Sequence, residues 1–169
     1  MNQFKYLWKR KEANFGSPID TEVSGGTHVT CENVLKFSGK YVALRRPKAI
    51  PEHEIPEKAL KSGKPYLYFV HGLPRWGETT EVYVNRVVKE QTGVGVKSFR
   101  VVDLYMGVYP DTKQWFIEPD LIVEINRLPV LGIYGNEVTE VVVFDIENIP
   151  DDFGWWDKKD IENFLNKYD

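Results

Sequence analysis

Residues 72–94 read Gly72-Leu73-Pro74-Arg75-Trp76-Gly77-Glu78-Thr79-Thr80-Glu81-Val82-Tyr83-Val84-Asn85-Arg86-Val87-Val88-Lys89-Glu90-Gln91-Thr92-Gly93-Val94. Two local readings of this stretch compete. Val82, Tyr83, Val84, Val87 and Val88 are weak helix formers, and their alternation suits a strand. Thr79 is a good N-cap, Glu81 would sit in a first turn where the helix dipole favours a carboxylate, and Gly93 is placed as a C-terminal stop.

The spacing of the charged and glycine residues decides between them, because it resembles the Nudix box. That motif is a Gly, five residues, a Glu, seven residues, then Arg-Glu-aliphatic-any-Glu-Glu-any-Gly-aliphatic. Gly72, Glu78, Arg86, Val88, Glu90, Gly93 and Val94 match it, whereas Val87 and Gln91 stand where the motif has Glu. The resemblance implies a loop, a helix and a loop here. It extends to Tyr41–Pro47, similar to the family's strand ahead of the box, and to Glu140–Ile146, similar to a late strand ending in an aromatic. The fold it implies is a Nudix-type α/β/α sandwich around a mixed central sheet. Residues 28–169 then form the domain, with an insertion at 47–65, and residues 1–27 are an N-terminal extension.

In that family the box glutamates hold divalent cations that neutralise a diphosphate and activate water. Hard cations require several crowded carboxylates. Positions 87 and 91 are four apart and share one helical face, which here offers an aliphatic side chain and a neutral amide. Glu90 remains, four residues after Arg86, so the two can pair and Arg86 can serve as scaffold together with Gly72 and Gly93. By analogy, Glu78, Glu90 and Glu137 are the candidate metal ligands, and Glu90 and Glu140 the candidate catalytic carboxylates. Arg45, Arg46 and Trp76 are candidates for holding phosphates and stacking a base.

Two functions are therefore expected to compete. One is a Nudix-like domain impaired in metal-dependent hydrolysis, which retains binding of a small nucleotide-like ligand and needs no cofactor. The other is a hydrolase of nucleoside diphosphates linked to another moiety, using Mg²⁺ or Mn²⁺ on the reduced set Glu78, Glu90 and Glu137 or Glu140. The missing carboxylates favour the first.

Working outward from the box, stretches rich in Val, Ile, Tyr and Phe predict strands over 28–37, 41–45, 66–70, 98–108, 114–126 and 137–145. Ser38-Gly39 predicts a tight hairpin turn, and Ile133–Asn136 a second turn. The four prolines between Pro47 and Pro65 predict a solvated loop, a lid or a specificity loop. At the C-terminus, Asp157 caps a helix whose Ile161, Phe164, Leu165 and Tyr168 recur at helical spacing, with Trp155 and Trp156 as core anchors before it.

The 169 residues suit one domain, and 42% hydrophobic with 28% charged residues is the composition of a globular chain. A net charge of −3 supplies no general attraction for a nucleic-acid polymer. No stretch approaches the roughly 18 apolar residues of a membrane span. Cys31 stands alone, so no internal disulfide forms, and its expected role is that of a small buried hydrophobe. A cytoplasmic location and, as a possible assembly, a homodimer complete the expectation.

Overall fold

Strand side chains alternate between the two faces of a sheet, and in this chain both faces are apolar, so both must be covered. The computed structural model describes residues 27–45, 57–61, 63, 65–75, 77–108, 115–132 and 138–168. Among the described residues, eight strands form one mixed sheet: β1 (Thr27–Val29), β2 (Cys31–Phe37), β3 (Lys40–Arg45), β4 (Leu67–Tyr68), β5 (Val70–Gly72), β6 (Val96–Val108), β7 (Trp115–Ile125) and β8 (Glu140–Phe144). β7 runs parallel to β1 and β2, while the β2–β3, β2–β5, β3–β4, β3–β8 and β6–β7 pairs are antiparallel. This is the mixed sheet between helices that the box implies.

Helix α2 (Thr80–Thr92) covers one face. Its Tyr83, Val84, Val87 and Val88 pack on Leu35 of β2, Val42 and Leu44 of β3 and Leu121 and Val123 of β7. Helix α3 (Lys158–Asn166) covers the other, where Ile161 and Leu165, with Tyr168 just beyond, meet Val34, Ala43, Phe69, Ile122 and Phe153. Each such aliphatic or aromatic side chain taken from water contributes about 1.5–3 kcal/mol. The α2 contact set outweighs the valine-rich helix's poor propensity.

The terminating signals work as read. Thr79 accepts a hydrogen bond from the Val82 amide, and Gly93 stops α2 at φ 71°, a left-handed conformation that glycine adopts without a Cβ penalty. Asp157 and Asp160 form a reciprocal capping box at α3. Ser38 and Gly39 both have positive φ, 51° and 83°, in the turn that pairs Phe37 with Lys40. Cys31 is buried, and burial pushes its thiol up to about 12.

The structure departs from the sequence reading in three places. The strand expected over 66–70 is broken at Phe69: β4 pairs with β3, and β5 pairs with β2. Phe69 is fully buried between them, against the rings of Phe144, Phe153 and Trp156, so burial of one aromatic outweighs a continuous ladder. Thr30 similarly separates β1 from β2. The stretch read as a loop between Pro47 and Pro65 contains a short helix, α1 (Glu57–Lys61), with a Glu57–Lys61 ion pair one turn apart; most of its remainder, like the Ile133–Asn136 turn, lies outside the described residues.

Candidate functional site

The loop of the box is held to its helix by one side chain. Arg86 donates from Nε to Glu78 Oε1 at 2.5 Å and from Nη2 to Glu78 Oε2 at 2.8 Å, a bidentate pair. The same guanidinium reaches the Leu73 carbonyl at 2.9 Å and Glu90 Oε2 at 2.9 Å. Glu78 also accepts from the Arg75 amide at 2.7 Å, and Glu90 from the Arg75 side chain at 3.3 Å. The Arg86 hydrogen bonds hold the Glu78 carboxyl below the usual carboxylate range. Both surviving box carboxylates thus face guanidinium groups.

The helical face that would carry the missing carboxylates is turned inward. Val87 is 2% exposed, and a Cβ built on Gly72 would lie 2.6 Å from its Cγ2, so glycine is required for this close approach. One turn on, Gln91 Nε2 donates to the His71 carbonyl at 2.6 Å. Tyr83 completes the seam: its hydroxyl donates to the Gly72 carbonyl at 3.2 Å and accepts from Asn33 Nδ2 at 2.9 Å. A hard divalent cation needs converging oxygen anions, and among the described residues no three His, Cys, Asp or Glu donors gather at the box. The box residues present do not fit the Mg²⁺ or Mn²⁺ that the fold implies there.

The remaining sequence-derived candidates fall in two groups. Arg45, at the end of β3, is 6% exposed and donates to Glu140 at 2.6 Å, to Asp152 at 2.6 Å and to the Pro65 carbonyl at 2.5 Å. The β3–β8 register sets Arg45 opposite Glu140, so the two are brought together as an ion pair. Arg46, Trp76 and Glu137 lie outside the described residues.

A second set of polar residues, not singled out in the sequence, lies on the sheet face that α3 covers. Glu32 on β2 is 2% exposed, its register partners are His71 on β5 and Asp120 on β7, and Glu118 stands two residues before Asp120. One donor atom each from Glu32, His71 and Glu118 lie within 4.8 Å of one another. His71 Nδ1 is 3.1 Å from Glu32 Oε2, and its Nε2 is 2.5 Å from Thr30 Oγ1. Trp155, at φ 70°, sets its ring 5.6 Å from the His71 ring. Burial raises the Glu32 and Glu118 carboxyls above the usual range, and burial with the neighbouring Glu118 and Glu32 carboxylates pushes Asp120 up to about 7. The available signal was a carboxylate inside an apolar strand, as in Cys31-Glu32-Asn33-Val34-Leu35 and Phe116-Ile117-Glu118-Pro119-Asp120-Leu121.

No family model matches the chain, and no curated protein matches it. Among solved structures it is similar to a MutT Nudix hydrolase from Burkholderia pseudomallei (TM-score 0.57, 15% identity, over 75% of this chain and 89% of that one). A Bacillus subtilis pyrophosphohydrolase, BsRppH, superposes with TM-score 0.58 at 19% identity, over 82% and 78% of the two chains. The Nudix domain of Shewanella oneidensis NrtR, solved with ADP ribose, does so with 0.55 at 14% identity, over 82% and 86%. The chain has the fold of the Nudix hydrolases. No helix among the described residues is long and apolar enough to cross a membrane.

Proposed function

We propose that the protein is a Nudix-fold binding domain for a small nucleotide-like ligand, a nucleoside diphosphate linked to another group, in which the box acts as scaffold and not as a metal-dependent hydrolytic centre. The observation that carries this reading is the burial of Val87 against Gly72, on the face where hydrolysis would need a carboxylate. Gln91 supports it, because its amide donates to the His71 carbonyl. The competing reading, a hydrolase using Glu78 and Glu90, would have to draw both carboxylates away from Arg86. Breaking a bidentate, half-buried ion pair of this kind costs on the order of 2–3 kcal/mol.

Ligand binding is proposed from the fold, since a Nudix domain of similar structure was solved with ADP ribose. Arg46 and Trp76 remain the proposed phosphate and base contacts, and Arg45 is assigned to bracing the β3–β8 edge with Glu140 and Asp152. Calorimetric titration of the full chain with ADP-ribose and with nucleoside triphosphates, in the presence of a chelator, tests the binding. Saturable binding near one ligand per chain is expected without metal; no heat with any of these ligands would overturn the proposal.

A further inference from the structure

We propose that Glu32, His71 and Glu118 form a site for one divalent cation of the manganese-to-zinc class, on the sheet face opposite the box helix. The placement follows from strand register. Side chains at successive strand positions point to opposite faces; Cys31, Leu35 and Val70 pack against α2, while Val34, Phe69 and Ile122 pack against α3. Glu32, His71 and Glu118 share the parity of the second set. They come from three strands of one sheet, so their backbones are fixed relative to one another.

The independent observation is an unsatisfied atom. Glu32 is 2% exposed, its Oε2 faces His71, and its Oε1 has no hydrogen-bond partner among the described residues. Nor does any described Lys or Arg pair with Glu32 or Glu118. A buried carboxylate oxygen left unpaired is costly, and a cation is one of the few groups that satisfies it.

The histidine is oriented to complete the set. Thr30 Oγ1 lies 2.5 Å from His71 Nε2 and 3.5 Å from the Gly72 carbonyl, so in the tautomer that carries its proton on Nε2, His71 donates to Thr30 while Thr30 donates to Gly72. In that tautomer the Nδ1 lone pair is directed at the Glu32 carboxylate 3.1 Å away, and a cation between them takes the place of the hydrogen bond that the other tautomer makes there. Fixing one ring nitrogen by a hydrogen bond so that the other can ligate is how metal-binding histidines are commonly held. First-row ions bind nitrogen and oxygen at about 2.0–2.2 Å, which requires donors about 3–3.5 Å apart. The donor atoms lie within 4.8 Å of one another, so binding requires the three side chains to draw together around the ion. An imidazole among two carboxylates favours zinc, manganese or iron(II) over Mg²⁺ or Ca²⁺, which take oxygen. The His71 side chain is 31% exposed, so the ion has an approach from solvent.

The alternative occupant is a proton shared between the carboxylates, and the experiment separates the two. The chelator-stripped, untagged chain is dialysed against Zn²⁺ or Mn²⁺, and bound metal is counted by plasma mass spectrometry. The ring nitrogens of His71 are followed by ¹⁵N NMR during Zn²⁺ addition. The expected result is about one equivalent of metal in the native chain and in Glu90→Gln, affinity at least about tenfold weaker in Glu118→Gln, and a Zn²⁺-dependent shift at His71 Nδ1. No uptake, or uptake without a His71 shift in the native chain, overturns the site whether or not the variant folds. Uptake abolished by Glu90→Gln but kept by Glu118→Gln places the ion at the box instead, and overturns both this site and the scaffold reading.

Discussion

Val87 occupies the position at which the Nudix box has its first helical glutamate, and Gly72 closes over it with no room for another atom. A carboxylate introduced there would be buried without a partner. Val87→Glu is therefore expected to lower stability by about 3 kcal/mol or more in urea unfolding, against about 2 kcal/mol for Val87→Ala; equal midpoints for the two variants would show that the pocket is wetter than it is here. Glu78 allows a test by pH. Its folded pKa lies below that of the unfolded chain because of Arg86. It therefore contributes stability that is fully present above the unfolded value, near 4.5, and is lost as the pH falls through the lower folded value. The melting temperature should fall more steeply below about pH 4.5 in the native chain than in Glu78→Gln; parallel slopes would show that Arg86 makes no difference to this group. At this scale the Arg86–Glu90 pair was legible in the sequence because its spacing is one helical turn, whereas Glu78, read as a metal ligand, pairs with Arg86 across the loop. Glu32, His71 and Glu118 were not legible, since 39 residues separate the first two and only the β2–β5 register brings them together.

Helix α2 shows how local signals and propensity divide the work. The valines of Val82–Val88 suit a strand, and only the caps at Thr79 and Gly93 and the box spacing marked the segment as helical. The caps should therefore matter: Thr79→Ala and Gly93→Ala are each expected to cost about 1 kcal/mol, the second because alanine must take φ 71°. Thermal unfolding of the two variants measures this, and no loss in either would mean that packing alone holds the helix. Helix α3 was legible from its cap and stripe, and β6, β7 and β8 from their apolar content. The break at Phe69 was not, because it depends on three rings, Phe144, Phe153 and Trp156, that arrive from the C-terminal half of the chain.

Across the whole molecule, the sheet separates two chemical environments. On the α2 side the box glycine, arginine and glutamates are consumed in holding loop to helix, and the core valines fill the seam. On the α3 side the sheet buries carboxylates around His71 beneath Trp155 and Tyr168, whose hydroxyl donates to Asp103 at 2.7 Å and lies 3.4 Å from Asp120. The fold was legible because the motif's spacing survives the loss of its glutamates; function was less so, because fold and reaction depend on different residues of the same motif. On the proposed reading, the box is a scaffold. Phosphate release from ADP-ribose and nucleoside triphosphates in Mg²⁺ or Mn²⁺, measured side by side for the native chain and Glu90→Gln, tests it most directly. No metal-dependent turnover that distinguishes the two is expected; turnover in the native chain that falls in Glu90→Gln would make this a hydrolase working with a reduced carboxylate set.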